Sequence, residues 1–255
     1  MTLGICKLCN MNEDLQRSHV IGKTVFSRIL RESDGNVALH FKLKDDNYLK
    51  TNDTWDTRLL CRDCESFFNR RFEAYAIQVL REKRNDVIYT KHPNGVIFNN
   101  IDSERIILYF FSIYWRAAHS THTAYADCVI LPTSSNFLVS CFRNEKKLIQ
   151  SAFSLRIRIL SDETNTFSKE SLKEMLIGPY ISNLNRGFVC TMAFEGYLFE
   201  LHFGFTSFKE RSKLGFLDIN KRFASIPYVE VFKHKDITDM VYKGAKIYKE
   251  NKTAK

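Results

Sequence analysis

Two short cysteine motifs constrain this chain more than anything else in it: Cys6-Lys-Leu-Cys9, and Cys61-Arg-Asp-Cys64 beginning 52 residues after Cys9. A Cys-x-x-Cys turn presents two thiolates from one knuckle, and two such knuckles close a four-coordinate shell. The spacing predicts one structural zinc ion held by Cys6, Cys9, Cys61 and Cys64. A segment this small has little apolar interior, so binding the ion contributes on the order of 10 kcal/mol or more to its folding. The alternative, two unrelated buried cysteine pairs, needs both spacings to arise by accident. A closed shell of four thiolates leaves no open position for a substrate, so any catalysis must use other residues.

The seven cysteines are an odd number, with Cys128, Cys141 and Cys190 scattered singly along segments that read as strands. That usage suits a reducing cytoplasm better than a secreted disulfide framework, and the three single thiols read as plain core. Charges at Lys7, Glu13, Asp14 and Arg17 interrupt any apolar run at the start, so no leader is expected. The longest strongly apolar run, Ile106 to Trp115, is about half of what a bilayer crossing requires. It reads as a buried helix, and no membrane partner is expected.

The chain has 255 residues, 44% of them hydrophobic, with 21 Phe and 11 Tyr against 4 Pro and 10 Gly, which excludes a disordered or linker-like chain. A formal charge of +9 favours a polyanionic partner through long-range attraction. There is no repeat or low-complexity tract. The expected class is α+β: a metal-bearing module over residues 1–86, then a mixed α+β body over 87–255 with a buried helix and antiparallel strands. After Cys64, the residues Phe68, Phe72, Tyr75, Ala76 and Val79 form one helical stripe ending in the charged run 81–86, before the turn His92-Pro93-Asn94-Gly95. Ser103 and Glu104 predict the cap of a second helix running to about Ala118 and apolar nearly all round. Segments 128–131 and 137–142 read as short strands, 188–205 as a hairpin turning at Glu195-Gly196, and 168–176 and 236–248 as helices. In the hairpin, Phe188, Cys190, Met192 and Phe194 share a face with Tyr197, Phe199, Leu201 and Phe203.

His19 is the candidate base. It follows Cys9 by ten residues, within Leu15-Gln-Arg-Ser-His-Val-Ile, whose alternation suggests a strand carrying the imidazole to one face. Read alone, such a histidine is better explained as a surface or satisfied core residue, and only the flanking cysteine knuckles favour a catalytic role. The order Cys-x-x-Cys, then Ser18-His19-Val20-Ile21, then Leu60-Cys61-x-x-Cys64-Glu65 resembles the zinc-stapled branch of the HNH endonucleases, over roughly residues 3–80. More closely, it is similar to variant members with a Ser-His-x-Ile motif and a Cys-x-x-Cys-Glu helix, which often occur in bacterial antiviral defence systems.

The resemblance implies a treble-clef or ββα-metal fold in which His19 is the general base of phosphodiester hydrolysis. Ser18 stands where the family usually has a metal-binding carboxylate or histidine, and Asp56 where it often has an asparagine that fixes the loop. Glu65 takes the place of a second metal ligand and suits Mg2+ or Mn2+. Asn69 lies one helical turn on, and Asn69 or Asp56 is the expected further ligand of that ion, while Glu73 extends the stripe as a ligand or a solvated charge. Between Ile21 and Leu59 the chain is longer than a compact hairpin needs, and Lys23–Arg31 reads as an inserted helix.

Lys7, Arg17, Lys23, Arg28, Arg62, Arg70 and Arg71 crowd this module and suit contacts to nucleic-acid phosphates, DNA before RNA. His119 and His122 form a weaker metal-binding candidate. A metal-dependent nuclease, a non-catalytic zinc module that binds nucleic acid, and a protein-interaction subunit of a defence complex all remain open on the residues alone.

Overall fold

The computed structural model describes residues 2–32, 38–41, 48–51, 55–233 and 237–239. The chain is mixed α+β, and its elements follow from where its apolar residues fall. The N-terminal part opens with strands β1 (Leu3–Ile5) and β2 (Asn12–His19), helix α1 (Lys23–Glu32), a hairpin of β3 (Ala38–Phe41) and β4 (Tyr48–Thr51), and β5 (Asp56–Cys61). The antiparallel order is β1-β2-β5.

A long helix follows directly from β5, in three stretches: α2 (Arg62–Phe68), a π-helical turn (Asn69–Glu73) and α3 (Ala74–Leu80). All five residues of the expected stripe, from Phe68 to Val79, are buried. The inserted helix at 23–31 is present as α1.

Strands β6 (Ile88–His92) and β7 (Gly95–Asn99) turn at the Pro93-Asn94 step. Helix α4 (Ser103–His119) comes next; its cap is Asp102, whose carboxylate accepts from the Arg105 N–H, while Ser103 begins the helix and donates to the Lys221 carbonyl. The segment expected as two strands is different. Residues 128–131 belong to no strand, and Pro132–Phe142 forms helix α5, with Ser135, Leu138, Cys141 and Phe142 buried at helical spacing. Proline at the first helical turn suits this start, where its missing N–H costs nothing. Cys128 therefore lies outside any strand and Cys141 on a helix, though both are buried, as is Cys190.

The remaining elements are β8 (Phe153–Ser161), α6 (Lys169–Glu174, capped by Ser168), β9 (Ile177–Leu184), β10 (Gly187–Phe194), β11 (Tyr197–Gly204), α7 (Phe208–Arg211) and β12 (Phe223–Glu230). Of the helix expected at 236–248, only 237–239 fall within the described residues, and these are helical. One seven-stranded sheet runs β6-β7-β12-β8-β11-β10-β9, antiparallel except for β12 beside β8. The β10–β11 hairpin turns at Glu195 (φ +56°) and Gly196 (φ +80°), the two left-handed positions of a tight hairpin turn.

Helix α4 lies at the centre. Phe110 stacks on Phe194 and Phe199, Phe111 meets Phe203, and Tyr114 packs on Phe188 and Phe203, so one side covers the apolar sheet face. Trp115 meets Phe68 and Phe142, joining the long helix and α5 to the same core, which is continuous from Cys6 to Ile226. Among the described residues no helix is long and apolar enough to cross a membrane. Phe110→Ala is expected to destabilise the protein by about 3–5 kcal/mol in urea unfolding; a loss below 1 kcal/mol would contradict a central position for α4.

Candidate functional site

The four predicted cysteines converge. Their sulfurs lie within 4.8 Å of one another, with Cys6, Cys61 and Cys64 buried and Cys9 partly so. The first knuckle is shaped by its backbone: the Asn10 N–H reaches the Cys6 carbonyl, the Cys6 N–H reaches the Met11 carbonyl, and Asn10 turns through φ +62°. The second knuckle is the junction of strand and helix, since Cys61 ends β5 and Cys64 lies in the first turn of α2. The Cys61 N–H points at the Cys6 sulfur at 3.3 Å.

Burial pushes the Cys6 thiol up, but backbone N–H groups, those of Cys9 and Cys61 first, outweigh it and bring the pKa to about 7. Burial and the neighbouring Cys61 and Cys6 sulfurs push the Cys64 thiol far up, and burial raises Cys9 as well. Four thiols so close cannot all ionise against one another, whereas a cation at their centre removes that repulsion. The donor set fits an ion such as zinc.

The same pinning places His19. Strand β2 pairs with β5 in a register that sets Leu15 opposite Cys61 and His19 opposite Asp56, with a bulge between Leu15 and Arg17. Alternation then separates neighbours. Ser18 is fully buried and accepts the Leu60 N–H at 3.2 Å, so it fastens β2 to β5 from the core side and does not share the face of His19. His19 is half-buried. Burial lowers its pKa from the ordinary 6.5, the carboxylates of Asp56 and Glu65 pull the other way, and Lys23 and Arg17 add to the lowering. The net direction is down, which favours the neutral imidazole.

Asp56 is engaged at both oxygens by the Arg17 guanidinium, at 2.9 and 2.6 Å. Glu65 stands on α2 within electrostatic reach of both His19 and Glu73, and its Oε1 is buried without a hydrogen-bond partner among the described residues. Asn69 is exposed at the start of the π turn, and its N–H bonds the Glu65 and Ser66 carbonyls. In an unbroken α-helix, positions eight apart are rotated by about 80°. The π turn at 69–73 accommodates an extra residue and removes most of that offset, bringing Glu65 and Glu73 toward one face.

Glu73 is not solvated. Its side chain is 12% exposed, its carboxylate lies 3.9 Å from the buried Arg116 guanidinium, and a side chain at Gly22 would collide with it. Burial raises its pKa, Arg116 opposes that, and Glu65 adds to it.

The basic residues divide. Lys7, Lys23, Arg62, Arg70 and Arg71 are exposed, with Arg70 also donating to the Ser66 carbonyl and Arg71 lying over the Phe67 and Phe72 rings. Arg17 pairs with Asp56, and Arg28 with the buried Glu195 at 2.7 Å. His119 meets the Ser135 hydroxyl, and the His122 Nδ1 accepts the Ala124 N–H, so these two serve separate local bonds. Apart from the four cysteines, no group of three or more His, Cys, Asp or Glu side chains converges on an ion-sized space among the described residues.

One residue beside this site is placed by the sequence only in the cluster of Trp115, Arg116, His119 and His122 at the end of the buried helix, with no link to His19. Arg116, on α4, donates to the His19 carbonyl at 2.7 Å. Its signal lay in a polar spacing on an otherwise apolar helix: Arg105, Tyr109, Ser112 and Arg116 recur at i, i+4, i+7 and i+11.

No family profile, curated protein or solved structure matches this chain. Purified protein is expected to carry one tightly held ion per chain by elemental analysis, and Cys64→Ser to lose it together with the native circular dichroism of the N-terminal part. An ion-free protein with an unchanged melting temperature would contradict the site.

Proposed function

We propose that the chain is a metal-dependent endonuclease of HNH type that hydrolyses nucleic-acid phosphodiester bonds, with zinc in the four-cysteine cluster as scaffold. The observation that carries this reading is a Glu65 carboxylate oxygen that is buried and lacks a hydrogen-bond partner among the described residues, on a helix within electrostatic reach of the half-buried His19. His19 takes the proton from the attacking water, and Asp56, across the strand pair, favours the imidazolium that forms. Glu65 would hold a divalent ion, Mg2+ or Mn2+, and Asn69, one turn along the helix, would offer an amide oxygen. A single protein carboxylate suits Mg2+, which keeps most of its waters and takes further oxygens from phosphate. When bound, such an ion offsets the charge that develops on the phosphate during hydrolysis. The exposed Lys7, Lys23, Arg62, Arg70 and Arg71 neutralise backbone phosphates, giving salt-dependent binding of DNA ahead of RNA.

A second reading, a non-catalytic zinc module that binds nucleic acid, draws on Ser18 and Asp56. Ser18 points into the core and Asp56 is held by Arg17, so neither stands free as a second metal ligand. Plasmid nicking in Mg2+ or Mn2+ separates the two. His19→Ala should slow nicking by about 10²–10⁴-fold while zinc content and melting temperature stay as in the wild type. Cleavage unchanged by that substitution would sink the mechanism, and salt-sensitive binding without cleavage would favour the second reading.

The pH profile has a definite sign. Burial lowers the His19 pKa, so the acid limb of kcat/KM should fall below 6.5, the ordinary histidine value. A limb centred above 6.5 would place the base elsewhere.

A further inference from the structure

The hydrogen bond from α4 to His19 belongs to a larger arrangement. On the side of α4 turned from the sheet, Arg105, Tyr109, Ser112 and Arg116 form one polar stripe against the long helix. Arg105 donates Nε to the Arg71 carbonyl and Nη2 to the Arg70 carbonyl, both within the π turn. Arg116 is 2% exposed, donates Nη1 to the His19 carbonyl at 2.7 Å, and sets Nη2 at 3.9 Å from the Glu73 carboxylate. Tyr109 is buried between them, within the fields of Glu73 and Arg116. A buried guanidinium is costly in a core unless its charge is met and its donors are used. Here the charge is met by the Glu73 carboxylate, Nη1 is used by the His19 carbonyl and Nε by the Ser112 carbonyl, while Nη2 faces Glu73 without a hydrogen bond among the described residues. The two arginines on α4 therefore grip the long helix at and beside its irregular turn, which is the feature that aligns Glu65 with Glu73.

We propose that Arg116 is a positioning residue of the His19 site, fixing strand β2 against the long helix through the His19 carbonyl and the Glu73 carboxylate. The inference rests on the nuclease reading for its catalytic consequence, and makes α4 part of the functional unit. Arg116 need not touch substrate. A planar guanidinium holds its donors in fixed directions, toward the His19 carbonyl and the Glu73 side, that a single rotatable ammonium does not reproduce.

The test uses the full chain, zinc-loaded, as wild type, Arg116→Lys and the double variant Arg116→Gln with Glu73→Gln, which removes both buried charges together. For each, zinc content, melting temperature, and kcat and KM for plasmid nicking in Mn2+ are measured. Hydrogen exchange is followed in peptides spanning 17–22. Arg116→Lys should fold and keep zinc, with KM within about threefold of wild type and kcat lower by about 10–100-fold, the loss expected from misplacing a reacting group. The double variant should stay as slow, with exchange in 17–22 faster by about tenfold in both. Wild-type kcat per folded molecule in both variants would reduce Arg116 to core packing and overturn the proposal. If the wild type cuts nothing in either metal, the nuclease reading falls by itself and exchange decides the positioning claim: faster exchange in 17–22 upholds it, and unchanged exchange overturns it.

Discussion

The convergence of four thiols is the constraint on which the N-terminal part depends. Cys61 is at once the last residue of β5, the partner of Leu15 across the strand pair, and the residue from which α2 starts. Binding its sulfur to the knuckle at Cys6 and Cys9 thus sets the register of β2, and register decides which side chains of β2 face the core. Leu15 and Ser18 go inward, and His19 is left on the face that Asp56 and Glu65 influence. Without a cation the cluster would hold buried thiols whose ionisation is mutually opposed. A bound cation would remove that opposition and would join the two knuckles, whose neighbours Leu8, Leu15, Leu60 and Phe68 also share the continuous core.

Helix α4 performs the second task. Its apolar side fills the sheet face with Phe110, Phe111 and Tyr114, while its polar stripe meets the irregular helix with Arg105 and Arg116. A related device steadies the inserted helix. Glu195, in the left-handed hairpin turn and almost fully buried, accepts Arg28 from α1 at 2.7 Å and Arg81, just past α3, at 2.6 Å. A non-glycine residue at positive φ carries a conformational cost, offset here by two charge-assisted bonds. The β10–β11 hairpin thereby braces both α1 and the long helix.

What could be read from the sequence was local. The cysteine spacing, the alternating strand before His19, the long stripe from Phe68 to Val79 and the paired faces of the 187–204 hairpin each carry their signal within a few residues. The segment 137–142 misled because Phe137, Val139 and Cys141 alternate with other residues as in a strand, while the proline at 132 and the buried set Ser135, Leu138, Phe142 carried the helical signal. The π turn leaves no mark in hydrophobic period. The contacts of Arg17 with Asp56, Arg28 with Glu195, and Arg116 with His19 join residues far apart in the chain, and pattern within one segment cannot reveal which distant partner claims a charge.

The central claim, that a four-sulfur ion site organises the rest, is tested most directly by X-ray absorption at the zinc K-edge on purified protein. A first shell of four sulfur atoms at about 2.3 Å, with no nitrogen or oxygen in it, is expected. A shell containing nitrogen or oxygen, or no zinc edge from well-folded protein, would contradict it.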